Sequence, residues 1–229
     1  NEHHRLLKLR IGSIFDSKTF ISEIPYGAIE RAADETEWPL QRWAKLSGTG
    51  GPALAVLNDG VYSGSAEGGN LDLTLLRSPV YANHETQHPR PDIYHRYIDQ
   101  GEQEFFIRLQ GYPRGTDNDE IARRALELNQ APVYVIESIH DGEFPGTQTF
   151  CKIEKGSSAL ISTIKRAEDN DGWIVRAVEA GGRKTTGEFD FTWLGVKKSF
   201  SFEPYEIKTI KITDRDRTIS ETSLLEFGI

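Results

Sequence analysis

Short runs of alternating apolar and polar residues, separated by turn sequences, most limit what this chain can fold into. Leu71, Leu73 and Leu75 recur at every second position, which places them on one face of a half-buried strand. Residues 68–70, Gly-Gly-Asn, precede that run and predict a turn. Residues 189–193 alternate in the same way. Strands at short, regular spacing with turn signals between them favour an antiparallel sandwich over a parallel sheet.

Other segments extend this pattern. The Asp59-Gly60 pair lies between the apolar pairs 56–57 and 61–62, which predicts a β-hairpin because glycine accepts a positive φ without steric cost. Residues 168–172 predict a second polar turn. Strands are also predicted over residues 104–109, 132–136, 159–164, 173–178 and 206–212.

One segment, residues 119–128, has a helical pattern. Its apolar side chains recur at spacings of three and four, and Asp117 and Asn118 are candidate caps before it. Pro132 lies just beyond its end. We therefore expect an all-β protein with one short helix between strands.

Composition excludes several classes of function. The 229 residues include 35 acidic and 27 basic ones, and a formal net charge of -8 disfavours binding to nucleic acid. No apolar stretch approaches the ~20 residues that cross a bilayer, so no membrane partner is expected. The single cysteine, Cys151, has the pattern of a packed, unreactive thiol and fits a reducing, cytoplasmic location. The chain contains no methionine and begins directly in a strand-like segment, which we interpret as part of a longer polypeptide.

Few side chains suggest chemistry. His84, His88 and His95, with Asp92, form the one cluster of metal-ligand types, but they lie in a proline-containing loop whose spacing forces no convergence. We therefore predict no metal site. Carboxylates that hydrolyse a glycosidic bond must flank it, and Glu102 and Glu104 would lie side by side on one strand face. No catalytic residue is assigned.

Two tryptophans leave an alternative open. Trp38 and Trp43 flank residues 39–42 and could stack on sugars, although tryptophans of a sandwich are more often in the core. A carbohydrate-binding β-sandwich without catalysis is therefore the alternative function.

Several segments together resemble the C-terminal half of the family-38 glycoside hydrolases, the α-mannosidases. They occur in the order found in the family and span most of the chain: residues 24–31 (IPYGAIER), 37–44 (EWPLQRWA), 55–60, 73–82, 99–105 (DQGEQEF), 164–169, 203–209 and 221–226.

The resemblance implies an antiparallel supersandwich, of the galactose-mutarotase-like type, over residues 1–156 and a smaller terminal β-sandwich over 157–229. It also implies an N-terminal catalytic domain of the same polypeptide as partner. In the family, that domain holds the zinc ion, the aspartate nucleophile and the general acid for retaining hydrolysis of α-mannosides. On this basis the chain is an accessory domain, inactive alone, with no cofactor of its own, and its homo-oligomeric state stays open.

The resemblance also indicates which residues would contact the substrate, because the sandwich approaches the active site in these enzymes. The expected substrate is an α-mannoside or oligosaccharide. The residues expected to line its pocket are Arg77, Tyr81, His84, Asp99 and Gln100. Arginine offers a planar fork of donors for hydroxyls, and tyrosine offers an amphipathic wall. The alternative is that these side chains brace the strand ends.

Overall fold

The protein is described from a computed structural model that covers residues 3–80, 90, 92–143 and 145–226. These residues form sixteen strands and one helix. In chain order they are β1 (Leu6–Gly12), β2 (Thr19–Ile24), β3 (Gly27–Ala32), β4 (Trp38–Pro39), β5 (Trp43–Ser47), β6 (Ala53–Asn58), β7 (Ser63–Glu67), β8 (Asn70–Arg77), β9 (Ile107–Tyr112), α1 (Asn118–Asn129), β10 (Cys151–Ile153), β11 (Ala159–Arg166), β12 (Trp173–Glu179), β13 (Thr185–Phe191), β14 (Val196–Phe202), β15 (Ile207–Ile212) and β16 (Ile219–Thr222).

The chain divides into two compact units. The first comprises residues 1–25, 29–116 and 124–129, and the second comprises 26–28, 117–123 and 130–229. The sequence-based boundary between residues 156 and 157 stays a prediction.

The first unit contains two antiparallel sheets with one core between them. Their strand orders are β1-β8-β7-β4 and β3-β2-β5-β6-β9. The buried core takes side chains from both sheets, among them Phe20 and Leu46 from one and Leu71 and Leu73 from the other. The Leu71, Leu73 and Leu75 face predicted from alternation therefore packs into a sandwich core, with Leu75 partly buried against it.

The second unit also contains two antiparallel sheets. Their orders are β10-β13-β14 and β11-β12-β15-β16. Phe189, Phe191 and Phe202 are fully buried from one sheet, and Val175 and Ile210 are buried from the other. Phe189 stacks on Phe191 with ring centroids 6.0 Å apart, so aromatic side chains fill much of the space between the sheets.

The helix lies where the sequence predicts it. Ile121, Ala122 and Ala125 form its buried stripe, as the spacing requires. Asp119 and Glu120 lie in its first turn, where carboxylates interact favourably with the helix dipole. At twelve residues, it is too short to cross a membrane, and it is the one helix in the described ranges. The all-β class with antiparallel sheets and one short helix is confirmed.

The turn at residues 68–70 is also confirmed. It joins β7 to β8 as a hairpin, with Glu67 opposite Asn70. Gly68 and Gly69 have φ values of +50° and +82°, the conformation that this tight turn needs at both central positions.

The hairpin predicted at Asp59-Gly60 is wrong. The turn forms, because Asn58 Oδ1 accepts hydrogen bonds from the N–H groups of Gly60 at 3.1 Å and Val61 at 2.7 Å. However, β6 pairs with β5 and β9, whereas β7 pairs with β4 and β8. The turn therefore carries the chain from one sheet of the sandwich to the other.

Two strand predictions need correction. Residues 104–106 precede β9, which begins at Ile107, so Glu102 and Glu104 share no strand face. Residues 132–136 form no strand, and Val133, Tyr134, Val135 and Ile136 are 79–94% exposed. Strand propensity alone fails there because a strand also needs a neighbouring strand to accept its backbone hydrogen bonds.

Candidate functional site

The end of β8 and the segment 97–101 come together in the first unit. The carboxylate of Asp99 accepts a hydrogen bond from the backbone N–H of Arg77, with Oδ2 2.9 Å from the nitrogen. Asp99 has a φ of +50° and Gly101 has a φ of +92°, so this segment turns sharply on itself. The structure thus brings together two of the residues that the resemblance singled out.

Ser78, the buried residue that follows β8, ties this site to the start of the chain. Its N–H donates to the carbonyl of Arg5 at 2.9 Å, and its Oγ accepts from the N–H of Arg5 at 2.8 Å. Its carbonyl accepts from the N–H of His4 at 2.7 Å. These bonds extend the pairing of β1 with β8 and fix the backbone on one side of Arg77.

Tyr97 forms the aromatic part of the site. Residue Val80 pairs with Tyr97 in an isolated antiparallel bridge, and the N–H of Ile98 donates to the carbonyl of Pro79 at 3.2 Å. The ring of His3 stacks on that of Tyr97 with centroids 3.8 Å apart and planes within 2°. His4 meets the same ring edge-on at 5.2 Å.

Of the five predicted site residues, three lie in the described part of the chain. Arg77 and Asp99 are linked as stated above, and the side-chain amide of Gln100 donates to the carbonyl of Ile98 at 3.0 Å. Tyr81 and His84 lie outside the described residues.

The site offers groups that can bind a polyhydroxylated ligand. Arg77 and Asp99 are both exposed. In the described ranges, the guanidinium of Arg77 has no hydrogen-bond or ion-pair partner, and Asp99 Oδ1 accepts no bond. The unpaired donors of Arg77 and the unpaired oxygen of Asp99 are groups that can bind the hydroxyls of a sugar. Sequence reasoning missed His3, His4 and Tyr97, since no local spacing relates the start of the chain to residue 97.

The segment at residues 37–44, which the resemblance also includes, has a different role, because its side chains contact and stabilise the neighbouring strands. Glu37 accepts hydrogen bonds from Lys8 of β1, Ser63 of β7 and Thr74 of β8. Burial raises the pKa of the Glu37 carboxyl, but these three hydrogen bonds outweigh burial and hold its pKa below the ordinary value. Glu37 therefore links three strands through one charged side chain.

Other residues of this segment also support the sandwich. Arg42 contacts Glu23, a buried carboxylate of β2, through two nitrogens at 2.5 and 3.0 Å. Trp43 is 1% exposed and belongs to the buried interior, whereas Trp38 is 38% exposed and carries the guanidinium of Arg31 over its ring at 4.9 Å. Of the two tryptophans considered as sugar platforms, Trp43 is excluded.

The described residues do not fit a zinc site. No group of three or more His, Cys, Asp or Glu side chains in the described ranges could hold a metal ion. His95 Nε2 lies 2.7 Å from the carbonyl oxygen of Arg90, and Asp92 pairs with the Arg90 guanidinium at 2.6 Å. His84 and His88 fall outside the described residues.

The fold and the site define an antiparallel β-sandwich protein with hydrogen-bonding side chains at one strand end. Two family models match it: the glycosyl hydrolases family 38 C-terminal domain over residues 1–92, and the glycosyl hydrolases family 38 C-terminal beta sandwich domain over residues 158–200. The chain belongs to the C-terminal region of the family-38 glycosyl hydrolases.

Curated relatives agree with this assignment. Alpha-mannosidase G of Dictyostelium discoideum is 27% identical over 248 residues, which covers 92% of this chain and 21% of the relative. Human alpha-mannosidase 2C1 is 26% identical over 193 residues, which covers 80% of this chain and 17% of the relative. The chain thus spans about a fifth of the length of the relatives that it matches.

Solved structures share the fold. An alpha-mannosidase from Enterococcus faecalis V583 superimposes with a TM-score of 0.72 at 14% identity, covering 89% of this chain and 25% of that one. A protein of glycosyl hydrolase family 38 from Enterococcus faecalis superimposes with a TM-score of 0.67 at 14% identity. The match covers 89% of this chain and 26% of that one.

Proposed function

We propose that this chain is the C-terminal accessory region of a retaining α-mannosidase. It packs on an N-terminal catalytic domain of the same polypeptide and contributes side chains to the rim of the sugar pocket. The zinc ion, the nucleophile and the general acid belong to that catalytic domain. Hydrolysis of terminal α-mannosides in the cytoplasm, as a step of mannose metabolism, is the activity that the whole polypeptide would perform.

The relatives support the reaction class. Both curated relatives and one of the two solved structures are named alpha-mannosidases, and this chain corresponds to a minor part of each. An accessory role suits such a part, and among the residues that the structure describes no group of three or more His, Cys, Asp or Glu side chains could hold a metal ion.

The observation that carries the proposal is the link between Arg77 and Asp99. The hydrogen bond at 2.9 Å fixes the loop that contains Asp99 against the end of β8, while the Arg77 guanidinium stays available. The bond fixes the backbone of Arg77 at the end of β8, and the planar donor fork of its side chain can then bind sugar hydroxyls from this fixed point. Tyr81 and His84 are proposed for the same rim.

The experiment compares the chain with the longer polypeptide. The purified 229-residue chain should not hydrolyse an aryl α-mannoside, whereas a polypeptide that carries it behind the catalytic domain should. In that polypeptide, Arg77→Ala should raise KM roughly fivefold to tenfold, the effect of about one lost hydrogen bond. Arg215→Ala, an exposed arginine of the second unit, is the matched control. Hydrolysis by the chain alone, or an unchanged KM in Arg77→Ala, would contradict the proposal.

A further inference from the structure

The second unit contains an open groove at one end of its sandwich. The groove has a volume of about 370 Å³ and is lined by Phe150, Ile164, Trp173 and Trp193. Ile164 is paired with Val175, which is fully buried, so the side chain of Ile164 points between the two sheets. Trp173 lies two residues before Val175 and points the same way. The groove is therefore a place where the inter-sheet space opens to solvent.

The aromatic walls of this groove are held in position. Trp193 meets the buried ring of Phe191 edge-on, with centroids 5.7 Å apart and planes at 86°. Phe150 lies against Trp193 at 6.5 Å. A rigid aromatic wall loses little conformational entropy when it binds a ligand.

The Trp173 wall is fixed by a charged neighbour. The guanidinium of Arg166 lies 5.2 Å from the centroid of the Trp173 ring. Asp214 holds that guanidinium through both carboxylate oxygens, at 2.7 and 3.3 Å, and the carbonyl of Asn170 accepts a further bond at 2.7 Å. The charge beside the groove is therefore neutralised, which favours an uncharged ligand.

The uncovered surface of the groove is almost entirely apolar. Phe150 is 61% exposed, Ile164 is 44% exposed and Trp173 is 38% exposed. In the described ranges, the indole N–H groups of Trp173 and Trp193 have no hydrogen-bond partner. An indole presents a flat apolar face and one donor at its edge, which is a combination suited to ligands with both apolar and hydroxylated surfaces.

We propose that this groove binds a neutral pyranoside, with the C–H face of the sugar ring stacked on the tryptophans. Its volume is within the range of small-molecule sites, in which aromatic walls and a few polar groups share the binding. Three of the four lining side chains are aromatic, which matches a flat ring better than a flexible aliphatic chain. The choice of an α-mannoside as ligand rests on the proposed function, whereas the groove itself does not depend on Arg77.

The test uses the indole N–H signals of the intact chain in two-dimensional NMR. The protein has four tryptophans, so each signal can be assigned by single substitutions. Titration with methyl α-D-mannopyranoside, and separately with an α-linked mannobiose, should shift the signals of Trp173 and Trp193 saturably. The signals of Trp38 and Trp43 should not move. The absence of shifts, equal shifts of all four signals, or shifts only with the apolar dye anilinonaphthalene sulfonate would overturn the proposal.

A matched pair of variants completes the experiment. Trp173 and Trp38 are each 38% exposed and each carries an arginine over its ring. Trp173→Ala should weaken mannobiose binding roughly tenfold in calorimetry, and Trp38→Ala should leave it unchanged. Equal losses would overturn the proposal. The indole signals of Trp173 and Trp193 in the 229-residue chain report the groove, whereas the KM of the longer polypeptide reports the rim at Arg77, so a failure of the groove and a failure of the proposed function give different results.

Discussion

Glu23 and Arg42 form a two-point ion pair in which the carboxylate is almost completely buried. The Glu23 side chain is 5% exposed and that of Arg42 is 30% exposed, and the backbone N–H of Arg42 donates a third bond at 2.9 Å. A carboxylate this deeply buried is tolerated only because its partner neutralises it.

Removing the arginine should therefore destabilise the first unit. Arg42→Ala leaves the Glu23 charge buried without its partner and should cost about 3 kcal/mol in the free energy of unfolding. Urea unfolding followed by tryptophan fluorescence measures it. Lys184→Ala breaks an ion pair between side chains that are 72% and 63% exposed, and it should change stability very little. Equal effects of the two substitutions would contradict this account.

Two substitutions of Asp99 should have different effects on the hydrogen bond to the Arg77 amide. Asp99→Asn keeps a hydrogen-bond acceptor for the Arg77 N–H and tolerates the positive φ, whereas Asp99→Ala does neither. We expect hydrogen exchange of the Arg77 amide to be roughly tenfold faster in Asp99→Ala and nearly unchanged in Asp99→Asn. Equal exchange rates in the two variants would show that the carboxylate does not hold this loop.

The lowered pKa of Glu37 leads us to expect that the stability of the folded protein decreases as the pH falls. Its pKa in the folded state lies below the ordinary value of 4.5, so the unfolded state takes up a proton first as the pH falls. The stability contributed by the charge is therefore present above pH 4.5 and is lost as the pH falls through the folded-state pKa. Unfolding midpoints of the native protein and of Glu37→Gln should differ near pH 7 and converge at low pH. Glu143→Gln, an exposed control, should show no such trend.

Two adjacent glycines separate backbone strain from steric clash. Gly68 and Gly69 both have positive φ, and either alanine should cost about 1 kcal/mol for that conformation. A Cβ at Gly68 meets nothing within 4 Å, whereas a Cβ at Gly69 would lie 1.8 Å from the carbonyl oxygen of Phe15. Gly69→Ala should therefore cost at least about 3 kcal/mol in unfolding experiments, well beyond Gly68→Ala. Similar losses of stability in the two variants would contradict the close approach of Gly69 to the carbonyl oxygen of Phe15.

The thiol of Cys151 should react slowly in the folded protein. Burial, and secondarily the charge of Asp190, raise the pKa of this thiol from 9.0 to about 12. The thiolate fraction near neutral pH is then roughly a thousandfold below that of an unperturbed thiol. Modification by a chromogenic disulfide should be slow in buffer and rapid in denaturant. Rapid modification of the folded chain would contradict the packing around β10.

Local patterns predict the elements of this fold that depend on neighbours in sequence. The period-two spacing of Leu71 and Leu73, the glycine pair before them and the helical spacing from Ile121 to Ala125 all appear as predicted. Asp59-Gly60 misleads because the same turn can continue a hairpin or carry the chain to the opposite sheet. The resemblance to family 38 singled out Arg77 and Asp99, but it could not show that they are joined by a hydrogen bond.

The sequence by itself determined the all-β class, the family and the positions of about half of the sixteen strands, because alternating side chains, turn residues and family-like segments can be read from neighbouring residues. Only the tertiary structure decided that His3 stacks on Tyr97, that Glu37 links three strands, and that Trp173 and Trp193 line one groove. Such contacts join residues that are distant in sequence. They follow from sheet order and register, which minimise the free energy of the whole chain rather than of any local segment.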